Sequence, residues 1–276
     1  MMKMNFTKMH GLGNDFVVID NRAGRLRGLS GKSKQLCDRR FGIGADQVLI
    51  LRSSKTADFR MQIFNADGSE VEMCGNGIRC LARFIWDNKL TSTRKKSLDI
   101  ETLAGIIRPE QKGRMTRVDM GEPVLEGSKI PVKAQGFIVN HPLMVRDTTF
   151  KITCVSMGNP HAVIVAKKID AVQLDTFGPL IEHHPFFPKR TNVEFVQVMN
   201  KSNVKLRVWE RGAGETLACG TGASAAVVAA SLLNLAGREV NVHLPGGKLI
   251  IHWSAEDNHV YMTGPAAPVF EGTIDI

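Results

Sequence analysis

The sequence predicts a mixed α/β (α+β) protein built from two copies of one unit, each a β-sheet curled around a central helix. Three observations carry this expectation. A cysteine motif occurs twice in a single register, runs rich in β-branched residues fill much of the chain, and the helical segment behind the second motif is apolar nearly all round. A helix of that kind has to be enclosed, and in a strand-rich unit the enclosing layer is a sheet.

The duplication is read from shared spacing. Gly13-Asn14 recurs as Gly158-Asn159, and Cys74-Gly75-Asn76-Gly77 recurs as Cys219-Gly220-Thr221-Gly222; 159 − 14 and 219 − 74 both equal 145. At that offset Val18-Ile19 falls on Val163-Ile164, Phe41 on Phe186, Gln47 on Asn192 and Glu70 on Glu215, with no gap. The register drifts after the cysteine motifs, because the next turn glycines, Gly105 and Gly247, are 142 apart, a loop change of three residues.

Strands are expected over residues 16–19, 48–51, 60–64, 98–101, 162–165, 193–198, 206–209, 240–244, 249–253 and 260–263, all rich in β-branched and aromatic residues. Helical signal follows each Cys-Gly-x-Gly. Ile78, Leu81, Ala82 and Ile85 keep helical spacing, with Asn88 as the terminator. The second helix is expected over Ala223 to Ala236, stopping at Gly237. Gly121-Glu122-Pro123 marks the boundary and Gly264-Pro265 the return, giving domains at 1–119 with the tail 265–276, and at 120–264.

Composition narrows the function classes. The 276 residues suit two ordinary domains, and 43% apolar residues suffice for two cores. The longest apolar stretch, Ala223 to Leu235, is short of the roughly 20 residues of a membrane span and holds Ser224, Ser231 and Asn234. Met1 to Gly13 lacks the apolar core of a secretory signal, and five irregularly spaced cysteines make no disulfide framework, so a reducing cytoplasm is expected. The formal charge of +9 is scattered, with Arg94-Lys95-Lys96 its one compact run, so it points to an anionic small molecule rather than to nucleic acid.

The chemistry lies in the cysteines. Cys74 and Cys219 each precede a Gly-x-Gly that opens a helix, so each sulfur meets free N–H groups and the positive end of the helix dipole. The glycines let a carboxylate approach the same amides. Two such thiols can serve opposite faces of one carbon, one removing a proton α to a carboxylate and the other returning one, while the N–H groups of Gly75-Asn76 and Gly220-Thr221 stabilise the developing charge. Cys37, Cys80 and Cys154 lack that context and are expected in the core. No paired-ligand spacing suggests zinc, no local Cys-His arrangement suggests a thiol protease, and neither nucleotide-binding glycine motif is present. No metal or cofactor is expected.

These residues resemble the diaminopimelate epimerase family, the cofactor-independent isomerases of lysine and cell-wall precursor synthesis. The resemblance runs from Lys8-Met9-His10-Gly11-Leu12-Gly13-Asn14-Asp15-Phe16 to the C-terminal tail. Its anchors are Asn65-Ala66-Asp67-Gly68-Ser69-Glu70, the stretch Cys74 to Cys80, Gly158-Asn159-Pro160-His161, and Glu210-Arg211-Gly212-Ala213-Gly214-Glu215-Thr216 leading into Cys219. It implies two pseudo-symmetric domains, each a curled sheet or barrel around a helix, with the active site in the cleft between them. It implies acid/base thiols at Cys74 and Cys219, thiol tuning by His161 and Glu210, and substrate contacts from Asn14, Gln47, Asn65, Gly75, Asn76, Asn159, Asn192, Glu210, Arg211, Gly220 and Thr221. The reaction implied is interconversion of LL- and meso-diaminopimelate in a homodimer, although Phe270 stands where the family often has a Tyr at the dimer contact. A racemase of proline-like substrates would use two thiols but not the distal set with Arg211. A non-catalytic amino-acid binding protein could use the same helix termini as a carboxylate clamp but would not need two thiols.

Overall fold

The computed structural model describes residues 3–275. Met1, Met2 and Ile276, which the expected domain limits include, lie outside the described residues. In chain order the elements are β1 (Lys3–Gly11), β2 (Asn14–Asp20), α1 (Leu29–Cys37), β3 (Gln47–Arg52), β4 (Phe59–Asn65), β5 (Glu70–Val71), α2 (Gly75–Asp87), β6 (Ile100–Thr102), β7 (Gly105–Ile107), β8 (Glu110–Lys112) and β9 (Met115–Asp119). They continue with β10 (His141–Val145), β11 (Thr148–Ser156), β12 (Pro160–Val165), a 3₁₀ turn (Ile169–Ala171), α3 (Leu174–Glu182), β13 (Asn192–Asn200), β14 (Asn203–Glu210) and β15 (Gly214–Thr216). The last are α4 (Gly220–Leu232), β16 (Glu239–Leu244), β17 (Gly247–Trp253), β18 (Val260–Pro265) and β19 (Ala267–Asp275). The described residues form two compact units, 3–118 with 263–275, and 119–262.

The first unit orders its strands β19-β1-β2-β3-β4-β6-β7, with β5 on β4; the second orders them β10-β11-β12-β13-β14-β16-β17-β18, with β15 on β14. In each, a helix makes the crossover between two parallel neighbours. α1 and α3 join β2 to β3 and β12 to β13, while α2 and α4 join β4 to β6 and β14 to β16. The barrel expectation needs correction. Both strand orders are open paths among the described residues, and β7, at three residues, offers too short an edge to close the first.

The duplication reaches further than the sequence strings. β1 and β11, α1 and α3, and α2 and α4 start and stop at positions separated by the same offset. Both central helices end alike, with Lys89 and Asn234 in the left-handed region, and with Leu90 and Leu235 donating to Ile85 O and Ala230 O at 3.0 and 2.9 Å. The register therefore holds to the leucines. The three-residue change lies beyond them, because Phe59 pairs with Ile100 and Val204 with Val242, and 242 − 100 equals 142. The second helix stops at Leu232, not at Gly237 as expected, because Asn234 supplies the left-handed turn that ends it.

Both central helices are buried against their sheets. On α2, Ile78, Leu81 and Ile85 are fully covered, each contributing about 1.5–3 kcal/mol by leaving water. On α4 the run Gly222 to Ala230 is buried throughout. The basic run Arg94-Lys95-Lys96 lies in the exposed segment between α2 and β6, where Lys95 pairs with Asp58.

One ionic cluster underlies the start of β2. Lys8, 7% exposed, pairs with Asp15 at 2.7 Å and donates to Gly44 O; Arg39 forks onto both Asp15 oxygens at 2.8 and 2.9 Å and reaches Asp46 at 2.8 Å. Burial alone would raise the Asp15 carboxyl, but the Arg39 and Lys8 bonds outweigh it and hold Asp15 well below the usual range. A depressed folded-state value stabilises above the unfolded value of about 3.9 and loses that contribution as pH falls. Asp15→Asn is expected to cost roughly 3 kcal/mol near neutral pH, since it strands the Lys8 ammonium. In urea titrations the gap between wild type and variant should close below about pH 4; a gap independent of pH would contradict the assignment.

Candidate active site

Both cysteines cap their helices. Cys74 and Cys219 hold extended backbone, and each sulfur accepts the N–H three residues on, from Gly77 at 3.4 Å and Gly222 at 3.3 Å. Ser, Thr, Asp or Asn usually fill this position; here a thiol does. Cys74 is half-buried and Cys219 is buried.

In the first unit the polar residues gather at one end of three neighbouring strands. Asn14 opens β2, Gln47 opens the parallel β3, and Asn65 closes the antiparallel β4. Asn14 Oδ1 accepts from Asn76 Nδ2 at 3.1 Å and lies 3.8 Å from Cys74 Sγ, while its Nδ2 donates to Asp46 at 2.8 Å. Asp46 thereby fixes which end of the amide faces the thiol. Gln47 donates to Asn65 Oδ1 at 2.8 Å, and Asn65 donates to Ser69 at 3.0 Å. The chain thus brings Asn14, Asn76 and Cys74 together and sets the Gln47–Asn65 pair on the neighbouring strand ends.

The second unit repeats the plan with different chemistry. Asn192 opens β13, its amide donating to Pro160 O at 2.8 Å and accepting from Arg211 N–H at 3.0 Å; the Arg211 guanidinium, on an exposed residue, donates to Lys189 O at 3.2 Å. Glu210, the last residue of β14, accepts from Thr216 at 2.6 Å. Thr221 Oγ1 lies 3.4 Å from Cys219 Sγ. His161 is fully buried, with Nε2 at 3.0 Å from Asn159 Oδ1 and Nδ1 at 2.6 Å from Glu194. Its carboxylate partner is therefore Glu194, a residue that sequence reasoning passed over; the available signal was an acid alone within the apolar run Val193-Glu194-Phe195-Val196. Burial pushes the Cys219 thiol well up, the carboxylates of Glu210 and Glu194 push the same way, and the Thr221 hydroxyl and Gly222 N–H pull it back.

Arg79 also went unread. It is fully buried on α2 and donates to Gly75 O at 3.1 Å and Pro265 O at 3.3 Å. The three other cysteines lie in the core, where burial raises Cys37 to about 11 and Cys80 and Cys154 to about 12. They are inert thiols at neutral pH. An apolar cavity of about 300 Å³ beside Phe150, Ile164, Phe177 and Phe195 contains none of these polar groups.

Comparison with known proteins places the chain. A family model described as diaminopimelate epimerase matches residues 6–126 and 153–269. Curated diaminopimelate epimerases share 52% identity (Moorella thermoacetica; 98% of each chain), 50% (Methanococcus maripaludis; 99% of this chain, 100% of the relative) and 54% (Carboxydothermus hydrogenoformans; 98% of each). The chain belongs to the diaminopimelate epimerase family. Among solved structures, a phenazine biosynthesis protein of the PhzF family from Bacillus anthracis superposes with a TM-score of 0.72 at 17% identity over the whole of both chains. A hydroxyproline epimerase from Agrobacterium vitis reaches 0.69 at 13% identity, over 99% of this chain and 92% of that one. Those two likenesses establish the fold that this diaminopimelate epimerase family member shares with them.

The glycine after each cap is a sensitive probe of the site. A Cβ on Gly222 would sit 2.9 Å from Glu194 Oε1 and 3.3 Å from Cys219 Sγ, whereas one on Gly31, in α1, would meet nothing within 4 Å. Gly222→Ala is therefore expected to destabilise by about 1–3 kcal/mol through overpacking, and Gly31→Ala to stabilise by about 0.5–1 kcal/mol through helix propensity. Urea unfolding of both variants checks this, and equal effects would refute the crowding at Gly222.

Proposed function

We propose that this protein interconverts LL- and meso-diaminopimelate without a cofactor, with Cys74 and Cys219 as the acid/base pair. The observation that carries the reading is the duplicated helix cap: each unit presents one thiol on the first turn of its buried helix, bonded to a glycine N–H. Inversion at carbon needs a base on one face and an acid on the other, and two copies of one device supply that pair. One thiolate takes the α-proton and becomes a thiol; the other thiol gives its proton to the opposite face and becomes a thiolate. The pair ends with its roles exchanged, and no proton or electron is gained or lost.

The first-turn amides of Gly75, Asn76, Gly220 and Thr221 would hold the carboxylate and the charge that develops beside it. Asn14, Gln47, Asn65, Asn159, Asn192, Glu210 and Arg211 would orient the amino and carboxyl groups, Arg211 as a carboxylate fork. His161 and Glu210 would tune the thiols. A purely amino-acid-binding role would leave both thiols without a task.

We infer a homodimer through β19, an edge strand on which Val269 and Phe270 are 57% and 48% exposed and the Phe270 ring meets Phe6 edge-on at 5.9 Å. The five free thiols favour a reducing cytoplasm as the site of action.

Cys74→Ala and Cys219→Ala are each expected to lower epimerisation at least about 10³-fold in both directions, and the double variant to be little worse. Substantial activity in either single variant would mean that one base serves both faces. In deuterated water, product should carry deuterium at the α-carbon from the first turnover while recovered substrate stays largely protiated. Early-time mass spectrometry of the separated stereoisomers reads this, and product that retains its original proton would overturn the two-thiol assignment.

A further inference from the structure

Superposing the two units by their shared offset shows where duplication has been abandoned. A Cβ on Gly77 would touch Leu49 at 3.1 Å and Phe16 at 3.5 Å, and one on Gly222 would touch Glu194 at 2.9 Å. Leu49 corresponds to Glu194, and Phe16 to His161. The apolar pair packed beneath the first thiol's helix turn has thus become a fully buried acid and imidazole beneath the second.

The hydrogen bonds of that pair fix its proton count. Asn159 Oδ1 can only accept, so the Nε2 facing it carries a proton and donates. The 2.6 Å contact between Nδ1 and Glu194 Oε1 then holds one proton, shared between imidazole and carboxyl. The Glu194 Oε2 is buried and has no hydrogen-bond partner among the described residues. A free carboxylate there would be costly, and burial accordingly raises the Glu194 carboxyl. The pair's carboxyl end is the end that lies against Gly222, the glycine whose N–H caps onto Cys219, and its charge acts on that thiol.

We propose that Glu194 is a positioning residue for the second half of the reaction: through the proton it shares with His161 it orients Asn159 and keeps Cys219 in its protonated form in the resting enzyme, making the two duplicated thiols inequivalent. The inference rests on the two-thiol reading above. A merely structural acid has no reason to stand where its counterpart is leucine. The groups acting on Cys219 are Glu194 on β13, Glu210 on β14 and, on α4 itself, the Thr221 hydroxyl and Gly222 N–H; of the other strands packed on α4, β12 brings His161 onto Glu194 and β11 carries Cys154, which the Glu194 charge raises. The buried positions of β16 and β17 are apolar, Val240, Val242, Leu249 and Ile251.

Two variants test this. Glu194→Gln keeps size and can donate to His161 Nδ1, but it cannot share a proton. The double variant His161→Phe with Glu194→Leu installs the pair that already packs beneath Gly77, so the fold itself shows that the shape is acceptable. In a background carrying Cys37→Ala, Cys74→Ala, Cys80→Ala and Cys154→Ala, Cys219 is the one remaining cysteine and ultraviolet thiolate absorbance follows it alone.

Both variants should lower the Cys219 titration by about one pH unit or more. With both thiols intact, Glu194→Gln should lower kcat about tenfold or more, shift the pH profile, and change KM far less; Glu194→Asp, which restores a shareable proton, should recover much of the profile. A Cys219 titration unchanged in both variants overturns the proposal, as does a loss of melting temperature with the titration and pH profile unmoved. The titration requires no turnover. It therefore fails separately from the two-thiol reading, which stands or falls on the single cysteine variants.

Discussion

The third residue of each central helix, Gly77 or Gly222, is buried against the sheet and cannot send its N–H into water. That constraint governs both units. Buried amides need acceptors, and at Gly77 and Gly222 the acceptor is the sulfur of the residue that starts the helix. The same geometry that settles the helix end places a polarisable, ionisable atom beside aligned N–H dipoles, which favour negative charge, although at Cys219 burial and two neighbouring acids outweigh them. Structure and reactivity therefore come from one contact. The glycines follow from it, since a side chain at Gly222 would run into Glu194 and the thiol.

Duplication would produce two identical thiols, and the chain has undone that identity in buried and half-buried places. Phe16 and His161 correspond, as do Leu49 and Glu194, Asn65 and Glu210, and Arg79 and Ser224. The last pair keeps its bond while changing its charge: Arg79 donates to Gly75 O, and Ser224 donates to Gly220 O at 2.9 Å. The first unit thus places a buried cation behind its cap, and the second places carboxyl groups there. An α-amino acid has one hydrogen and different substituents on its two sides, so surroundings of opposite polarity suit it better than a mirror pair.

Much of the fold was legible because its signals are local. Strand runs such as Val48 to Leu51 and the helix from Gly75 announce themselves by composition and spacing. α1 and α3 did not. α1 has a weak apolar stripe of Leu29, Leu36 and Cys37, and α3 holds Gly178 and Pro179 inside nine residues; Gly178 is there because the Trp209 ring would lie 2.6 Å from a Cβ. That is tertiary packing overriding propensity. At the site, the cysteines and asparagines were visible from repeated motifs. Glu194, Asp46 and Arg79 were not, because each acts through a contact far along the chain: Glu194 on His161, Asp46 on Asn14 and Arg79 on Pro265. Open sheet edges were equally invisible, since alternation fixes a strand's faces and not its outermost neighbour.

The outermost strands also set an order of completion. The second unit covers β11 with β10, its neighbour in the chain, whereas the first covers β1 with β19, which follows every element of the second unit in the chain. β1 pairs with β19 from Lys3 to His10, so its outer hydrogen-bonding edge stays open until the second unit and then β19 have been made. The unit translated first is therefore finished last. A chain that stops before β19 would carry an intact second unit and an unpaired β1, the kind of edge on which chains join one another instead of folding.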